Sequence, residues 1–316
     1  MKIAILDDYQ DVVRGLNCFS LLKDHEVTVF QNRAVGLGQL AIRLRPFETL
    51  VLNRERSKLS RALLEKLPNL KLIAQTGKVS GNIDLDAARE LGISIIEGTG
   101  DPTAPAELTW VLIMAASRKI PQYSQHLQEG VWQWSSIHPQ HNQLGRALKG
   151  RLLGIWGYGR IGQLLARYAR AFDMRVCVWG SAESRARASA DGLIACNSKE
   201  ELFEQADILS LHLRLHPATQ GIVKLSDLQR MKPDALFVNT SRAELIETDA
   251  LITALDQGHL GAAALDVFET EPLPLDHPLR KHENVLLTPH LGYVEKDSYE
   301  LYFGDVFRGI LEFGQG

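Results

Sequence analysis

A string of three glycines in the spacing G-x-G-x-x-G constrains the fold of this chain more than any other feature. Gly157, Gly159 and Gly162 follow the apolar run Leu152–Trp156, and Gln163–Phe172 continues with helical periodicity. The spacing alone is common, but between a strand and a helix it predicts a loop that binds the pyrophosphate of a dinucleotide. The first glycine permits the tight turn, the second lets the backbone approach the ligand, and the third lets helix and strand pack closely. The predicted cofactor-binding residues of this loop are Gly157, Gly159, Arg160, Ile161 and Gly162.

Short apolar runs alternate with helix-like stretches along the whole chain, in two series. Runs that are apolar on both faces are typical of parallel strands covered by helices on each side. The length of 316 residues and the hydrophobic fraction of 45% suffice for two such cores. We therefore predict an α/β fold with two lobes, each a doubly wound parallel sheet. The first series of predicted strands is Lys2–Leu6, Glu26–Phe30, Thr49–Asn53, Leu70–Thr76 and Ile93–Ile96, and the second is Leu152–Gly157, Arg175–Trp179, Ile208–Leu213, Ala235–Thr240, Ala262–Val267 and Asn284–Thr288.

The composition argues against several classes of partner. The chain has 35 Lys plus Arg against 38 Asp plus Glu, and the basic residues are spread along it, so the sequence offers no basic footprint for a nucleic acid. No apolar run approaches the roughly 18–20 residues that a bilayer span needs. We expect a soluble, cytoplasmic protein whose partners are small molecules. Its three cysteines lie far apart without C-x-x-C spacing, which predicts buried free thiols rather than disulfides or a metal site.

Three segments outside the strand series bear on domain organisation. Pro105–Ile120 has apolar residues at helical spacing and is predicted to form one long helix between the lobes. Gln122–Leu148 lacks periodicity, so we expect irregular surface structure there, and it is a candidate contact with the partner subunit of a homodimer. Lys296–Phe313 has one apolar face, which predicts an amphipathic helix in a groove of the first lobe. The first lobe would then be discontinuous in sequence.

The end of the second strand of the dinucleotide lobe indicates which cofactor binds. Sites for NAD usually carry an acidic residue about 20 residues after the glycines, where it bonds the ribose hydroxyls. Here Arg175–Trp179 is followed by Gly180 and Ser181, and then by Arg185 and Arg187. A hydroxyl and cations at this place favour a 2′-phosphate, so we predict NADP ahead of NAD, with Ser181 and Arg185 as binding residues. A solvated basic loop is the structural alternative.

Three further segments end predicted strands of the same sheet, at the edge where ligands bind in open α/β folds. They cover residues 239–242, 265–272 and 287–292, and they contribute Arg242, Glu271 and His290. An arginine offers a two-pronged contact to a carboxylate, a histidine carries a proton near neutral pH, and a carboxylate orients an imidazole. Each of the three alone has a structural alternative, but their joint placement predicts an active site.

Together with the glycine loop, these segments resemble the D-isomer-specific 2-hydroxyacid dehydrogenase family, which includes phosphoglycerate dehydrogenase and the glyoxylate and hydroxypyruvate reductases. The most specific strings are Asp266–Pro274 and Thr288–Gly292, and the resemblance also takes in Thr76–Leu85 and Ala106–Leu108. It covers nearly the whole chain. The departures from the family pattern are Ala243 after Arg242, Gly180 in place of an acidic residue, and Lys78 in the substrate loop.

The resemblance implies a Rossmann NAD(P)-binding domain over residues 101–290 and a flavodoxin-like substrate domain over 1–100, completed by 291–316. It also implies hydride transfer between the cofactor and a small 2-oxo or D-2-hydroxy acid, such as glyoxylate or hydroxypyruvate. His290 would transfer the proton, Glu271 would fix its tautomer, and Arg242 would bind the carboxylate and carbonyl of the substrate. Glu271 argues against the related formate dehydrogenases, whose histidine is paired with Gln. The remaining implied residues are Lys78 and Val79, whose backbone amides would hold the substrate carboxylate, and Thr240, Ser241, Asp266 and Gly292 beside the cofactor.

Two other interpretations bear on function. The family resemblance extends to corepressor proteins that sense a dinucleotide and bind partner peptides, so a regulatory protein of the same fold is the alternative to an enzyme. The histidine pairs His138 with His141 and His212 with His216 have no carboxylate or thiolate at ligand spacing, so we predict no metal site.

Overall fold

The computed structural model describes residues 1–34, 36–133 and 144–314. The chain divides into two compact units, one formed by Met1–Asp101 with Val294–Gly316 and the other by Pro102–Tyr293. Each unit is built on its own parallel sheet. The predicted fold class, an α/β chain with two doubly wound lobes, is confirmed.

The first unit contains five parallel strands. Its strands are β1 (Lys2–Ile5), β2 (Glu26–Val29), β3 (Thr49–Leu52), β4 (Leu72–Gln75) and β5 (Ser94–Glu97), and its helices are α1 (Leu37–Leu44), α2 (Arg61–Leu64), α3 (Leu85–Glu90) and α11 (Lys296–Phe313). The strand order is β2-β1-β3-β4-β5, the flavodoxin-like order. Strands β3 and β4 are buried along their whole length, as expected for strands covered on both faces.

Helix α11 completes the first unit from the far end of the chain. It packs on β4 and β5, and its range is the one that the apolar face of the sequence predicted. The large side chains buried along it are Tyr299, Tyr302, Phe303, Val306, Phe307 and Ile310. The unit is therefore discontinuous in sequence.

The second unit contains seven parallel strands in the order β12-β11-β10-β9-β6-β7-β8. The strands are β6 (Leu152–Trp156), β7 (Arg175–Trp179), β8 (Ile194–Ala195), β9 (Ile208–Leu211), β10 (Leu236–Asn239), β11 (Ala262–Leu265) and β12 (Val285–Leu287). The helices are α4 (Thr103–Ser117), α5 (Ile120–Gln128), α6 (Arg160–Ala171), α7 (Ala182–Ala190), α8 (Lys199–Gln205), α9 (Leu225–Leu228) and α10 (Ala250–Asp256). Alternate residues of β6 belong to two separate hydrophobic clusters, so both faces of the sheet are covered.

Two predictions about connecting segments were wrong. The helix expected over Pro105–Ile120 ends at Ser117, and α5 occupies the start of the stretch 122–148 that was expected to be irregular. The cause is Pro121, which lies in the first turn of α5, where a helix tolerates proline. Strand β8 was missed because it has only two residues. Residues 134–143 of the same stretch lie outside the described residues.

Two further findings concern the surface and the thiols. Among the helices of the described ranges, none is long and apolar enough to cross a membrane. Cys177 and Cys196 are free and buried as predicted, whereas Cys18 is free but only partly buried.

Candidate active site

The glycine loop connects β6 to α6, and each glycine has the surroundings that its predicted role requires. A Cβ at Gly157 would lie 2.4 Å from the carbonyl oxygen of His212, and one at Gly162 would lie 2.4 Å from the carbonyl oxygen of Gly157. No described atom lies within 4 Å of a Cβ built on Gly159, so the loop is open to a ligand there. None of the described side chains caps the first turn of α6, which leaves its amides available to an anion. The loop fits the pyrophosphate of a dinucleotide.

Tyr158, between the first two glycines, anchors this loop and was not singled out from the sequence. It is 3% exposed, and its hydroxyl donates to Asp191 Oδ2 at 2.8 Å. Burial, with the hydrogen bond to Asp191, raises the pKa of Tyr158 to about 12, so the hydroxyl remains a donor. One tyrosine at a variable position of the motif carries no periodic signal, so it could not be found from the sequence.

At the end of β7 the structure places an arginine against a tryptophan. The guanidinium carbon of Arg185 lies 4.7 Å from the centre of the Trp179 ring, a cation–π contact. Its Nε is buried and has no hydrogen-bond partner in the described part of the chain. Ser181 caps the first turn of α7 with its hydroxyl oxygen, and Arg187 forms an ion pair with Glu183. Both arginines lie in α7 rather than in a loop, and Arg185 is therefore better placed than Arg187 to bind an incoming anion.

The predicted proton carrier and its carboxylate partner are in contact. His290 Nδ1 lies 2.8 Å from Glu271 Oε2, and Glu271 Oε1 accepts the backbone N–H of Phe268 at 3.0 Å. The imidazole also packs edge-on against Tyr293, with ring centres 5.5 Å apart. Because a carboxylate accepts the proton of Nδ1, the nitrogen left for a substrate is Nε2. This arrangement suits acid–base catalysis.

Glu271 is held in its ionised form. Burial alone raises its pKa, but the hydrogen bond and charge of His290 lower it. The backbone N–H of Phe268 and the charge of Arg242 act in the same direction, and the resulting pKa lies below that of an ordinary glutamate. A carboxylate that stays ionised can hold the imidazole through both of its protonation states.

The turn that presents His290 is built around Asp266, a fully buried carboxylate after β11. Asp266 Oδ1 accepts from Thr288 Oγ1 at 2.6 Å and from the Leu291 N–H at 2.7 Å, and Oδ2 accepts from the Gly292 N–H at 2.9 Å. Burial raises the pKa of Asp266 in spite of these donors. His290 has a φ of 53°, a conformation that residues other than glycine adopt at a cost. Asp266 stabilises this turn by binding the two amides that follow His290.

Arg242 follows β10 and is held by a residue that was not predicted to take part. Asn239 is 1% exposed, donates to the Arg242 carbonyl oxygen at 2.8 Å and accepts the Ser241 N–H at 3.0 Å. Thr240 Oγ1 lies 2.7 Å from the hydroxyl oxygen of Thr109 in α4. These bonds fix the segment 240–242, which contains one predicted substrate-binding residue and two predicted cofactor-binding residues.

The order of the sheet explains why the three predicted catalytic residues come together. Strands β10, β11 and β12 are adjacent and parallel, so the segments that follow them meet at one edge. Arg242, Glu271 and His290 follow these strands in turn, and the charge of Arg242 acts on the Glu271 carboxylate. The edge combines an anion-binding group with a proton carrier.

The predicted absence of a metal concerned two histidine pairs. His138 and His141 lie outside the described residues. His212 Nε2 lies 2.8 Å from Ser210 Oγ, and His216 is exposed. Within the described ranges, no cluster of three or more His, Cys, Asp and Glu side chains could hold a metal ion.

Lys78 and Val79, the predicted substrate-binding residues outside this edge, belong to the first unit. They lie in the loop between β4 and α3. There the Glu97 carboxylate accepts the Val79 N–H at 2.7 Å and the Lys78 Nζ at 3.0 Å. The Val79 amide therefore has a carboxylate partner from the chain itself.

Comparisons with known proteins identify the family of this chain. The family profile for the NAD binding domain of the D-isomer specific 2-hydroxyacid dehydrogenases matches residues 110–292. A glyoxylate reductase from Thermococcus litoralis is 35% identical over 298 residues, which are 93% of this chain and 89% of that protein. A D-3-phosphoglycerate dehydrogenase from Methanocaldococcus jannaschii is 37% identical over 262 residues, 82% of this chain but only 48% of that protein. A solved phosphoglycerate oxidoreductase from Vibrio cholerae is 52% identical, with a TM-score of 0.96 over 100% of this chain and 99% of that one.

The dinucleotide loop and the histidine–glutamate pair at one edge of a parallel sheet define a class, the nicotinamide-dependent oxidoreductases. Within that class, the chain belongs to the D-isomer specific 2-hydroxyacid dehydrogenase family. It is an enzyme that uses a nicotinamide dinucleotide to transfer hydride between 2-oxo acids and 2-hydroxy acids. The family and the activity predicted from the sequence are both confirmed.

Proposed function

We propose that the enzyme reduces a small 2-oxo acid, such as glyoxylate or hydroxypyruvate, to the D-2-hydroxy acid, or catalyses the reverse reaction. The observation that carries the proposal is the 2.8 Å contact of His290 with Glu271 on the sheet edge that also bears Arg242. The name of one relative, a glyoxylate reductase, supports the choice of substrate.

Each side chain of the site has a distinct role in this reaction. A bound nicotinamide supplies or accepts the hydride. In reduction, His290 donates the proton of Nε2 to the substrate's carbonyl oxygen, and Glu271 holds the ring by Nδ1. Arg242 binds the carboxylate and polarises the carbonyl with its planar fork. The backbone amides of Lys78 and Val79, in the first unit, are the other proposed donors to a substrate carboxylate.

NADP is the preferred form of the cofactor in this proposal. Gly180 supplies no acidic group to bond ribose hydroxyls or to repel a 2′-phosphate. The Arg185 guanidinium packs over the ring of Trp179, the residue before Gly180. Ser181 adds a hydroxyl at the start of α7. The residues proposed to bind the rest of the dinucleotide are Gly157, Gly159, Arg160, Ile161, Gly162, Thr240, Ser241, Asp266 and Gly292.

A panel of 2-oxo acids, followed at 340 nm with NADPH and with NADH, tests the proposal. We expect the highest kcat/KM with glyoxylate or hydroxypyruvate and with NADPH. Turnover of a different 2-oxo acid alone would correct the substrate. Turnover of none would favour the alternative, a dinucleotide-sensing regulatory protein of the same fold.

We also propose that the enzyme is a cytoplasmic homodimer. The support for a dimer is the set of exposed apolar side chains on α4 and α5, namely Val111, Ile120 and Leu127, since exposed apolar clusters often mark interfaces. Light scattering coupled to size exclusion would give twice the chain mass for a dimer and the mass of one chain for a monomer.

A further inference from the structure

One peptide unit in the loop between β4 and α3 is held from both sides. This is the peptide that joins Lys78 to Val79. Gln75 Nε2 donates to its carbonyl oxygen at 2.8 Å, and Glu97 Oε1 accepts its N–H at 2.7 Å. Gln75 and Glu97 are paired residues of β4 and β5, at the carboxyl ends of both strands. Two neighbouring side chains therefore bind the two polar groups of a single peptide.

The buried partner is sufficient to orient this peptide. Gln75 is fully buried, and its Oε1 accepts from Asn82 Nδ2 at 2.8 Å. Asn82 is 6% exposed and also donates to the Ser57 carbonyl oxygen at 3.3 Å. In a planar trans peptide the C=O and N–H groups point in opposite directions. Because Gln75 donates to the Lys78 carbonyl oxygen, that oxygen points toward the buried side chains of Gln75 and Asn82. The Val79 N–H therefore points away from them, whether or not Glu97 is present.

Glu97 differs from Gln75 in exposure and charge. Its side chain is 37% exposed, and its second oxygen pairs with the Lys78 ammonium, whose side chain is 68% exposed. The bond from the Val79 N–H, together with Lys78, holds the pKa of Glu97 below its usual value. Glu97 is therefore a carboxylate at neutral pH, in an exposed pair of a kind that contributes little to stability. The loop thus has two hydrogen-bond donors for a carboxylate, the Val79 N–H and the Lys78 ammonium. Both donate to the carboxylate of Glu97.

We propose that Glu97 is an internal carboxylate that competes with the carboxylate of the substrate for the Val79 N–H and the Lys78 ammonium. This inference rests on the proposed function, which gives the Val79 N–H to the substrate, and it adds the Lys78 ammonium as a second donor. Glu97 is then a specificity-determining residue, because an acid binds only by displacing it. Acids that engage both donors displace it best, since displacement frees the amide and the ammonium together.

Three substitutions at one position separate competition from other roles. Glu97→Asp keeps the charge but shortens the side chain by one methylene, Glu97→Gln keeps the length but removes the charge, and Glu97→Ala removes both. Competition predicts that KM for the 2-oxo acid falls by about two- to tenfold in the Asp and Ala variants and by less in the Gln variant. The effect should appear in KM more than in kcat. Glu90→Gln, which removes a more exposed acid paired with Arg61, is the control and should leave KM unchanged.

A different ranking of the KM values among the Asp, Gln and Ala variants would overturn the proposal. Equal decreases in the Gln and Ala variants, with the Asp variant like the parent, would mean that only the charge of Glu97 matters. An increase in the Ala variant that the Gln variant restores would mean that Glu97 supports the loop.

A binding experiment keeps this test separate from the proposed function. Oxalate, which cannot be reduced here, would be titrated into the ¹⁵N-labelled enzyme while the Val79 amide signal is followed. Competition predicts a shift of that signal and an affinity about two- to tenfold tighter in Glu97→Ala than in the parent. If no 2-oxo acid is turned over but this shift occurs, the proposed function fails and the inference about Glu97 stands. If oxalate leaves the Val79 signal unmoved in both proteins, the inference fails.

Discussion

At the scale of single residues, the proposed chemistry of reduction depends on His290. Because the proposal gives its Nε2 the proton transfer to the substrate, His290→Ala should lower kcat by about 10²–10⁴-fold. Affinity for NADPH should change little, since the glycine loop binds the dinucleotide. Absorbance at 340 nm gives kcat, and quenching of tryptophan fluorescence gives the affinity. His216→Ala, at an exposed histidine, is the control, and a His290→Ala enzyme as active as the parent from pH 5 to 9 would rule out this role.

Glu271 determines where the pH dependence falls. Its pKa is lowered, so it remains a carboxylate at neutral pH. Reduction consumes a proton from His290, so its rate should fall as the pH rises, and oxidation should show the opposite trend. Glu271→Gln removes the anion that favours imidazolium, so the falling limb for reduction should move to lower pH. Profiles of kcat/KM measured from pH 5 to 9 check this prediction. If the falling limb stays at the same pH in Glu271→Gln, Glu271 has no influence on proton transfer.

At the scale of elements, the junction of β7 and α7 should decide cofactor choice. A charge-assisted bond contributes about 1.5–3 kcal/mol, so Arg185→Ala should weaken NADPH roughly ten- to a hundredfold and leave NADH unaffected. Arg187→Ala is the matched control because Arg187 is already paired with Glu183.

Gly180→Asp should shift preference toward NADH by repelling the 2′-phosphate, although its Cβ would lie 3.2 Å from Ser184 Cβ and force a small adjustment. Fluorescence titration measures the affinity for each cofactor. If Arg185→Ala weakened binding of NADPH and of NADH equally, Arg185 would not be the residue that binds the 2′-phosphate.

The end of β9 makes the fold sensitive to acid. Burial lowers the pKa of His212 to about 3, and its Nδ1 is buried without a partner in the described part of the chain. An unfolded histidine takes up its proton near pH 6.5, whereas this one stays neutral, so stability should fall as the pH drops below about 6.5. The slope should be about 1.4 kcal/mol per pH unit until the pH approaches the folded pKa. Urea unfolding at pH 7 and pH 5 should show a smaller acid loss in His212→Gln than in the parent. The exposed His216→Gln should behave like the parent, and an equal acid loss in all three proteins would contradict the prediction.

At the scale of the whole molecule, features with a local signal were predicted from the sequence, whereas contacts between distant segments were not, apart from the contact of Glu271 with His290 that the family resemblance implied. The apolar face of Lys296–Phe313 repeats at helical spacing, so α11 was found with its observed range. The bonds of Asp266 to Gly292 and of Glu97 to Val79 join residues 26 and 18 positions apart. Such bonds leave no periodic trace in a sequence. The chemistry of the site could therefore be predicted, whereas the side chains that position it could not.

The division into two units predicts how the molecule responds to loss of α11. Helix α11 belongs to the first unit, where its buried face packs on β4 and β5. Fully burying one large apolar side chain contributes about 1.5–3 kcal/mol, so five of the buried side chains of α11 together contribute roughly 8–15 kcal/mol. That range is comparable to the whole stability of a domain, about 5–15 kcal/mol. The five side chains are Tyr302, Phe303, Val306, Phe307 and Ile310.

Deletion of residues 294–316 should therefore unfold the first unit. The second unit should still bind NADPH, because its sheet, its glycine loop and Arg185 all lie within Pro102–Tyr293. Circular dichroism should show a partial loss of helix and strand, and fluorescence titration should show NADPH affinity close to that of the parent. Deletion of residues 314–316 alone is the control, and loss of NADPH binding with the secondary structure intact would contradict the prediction.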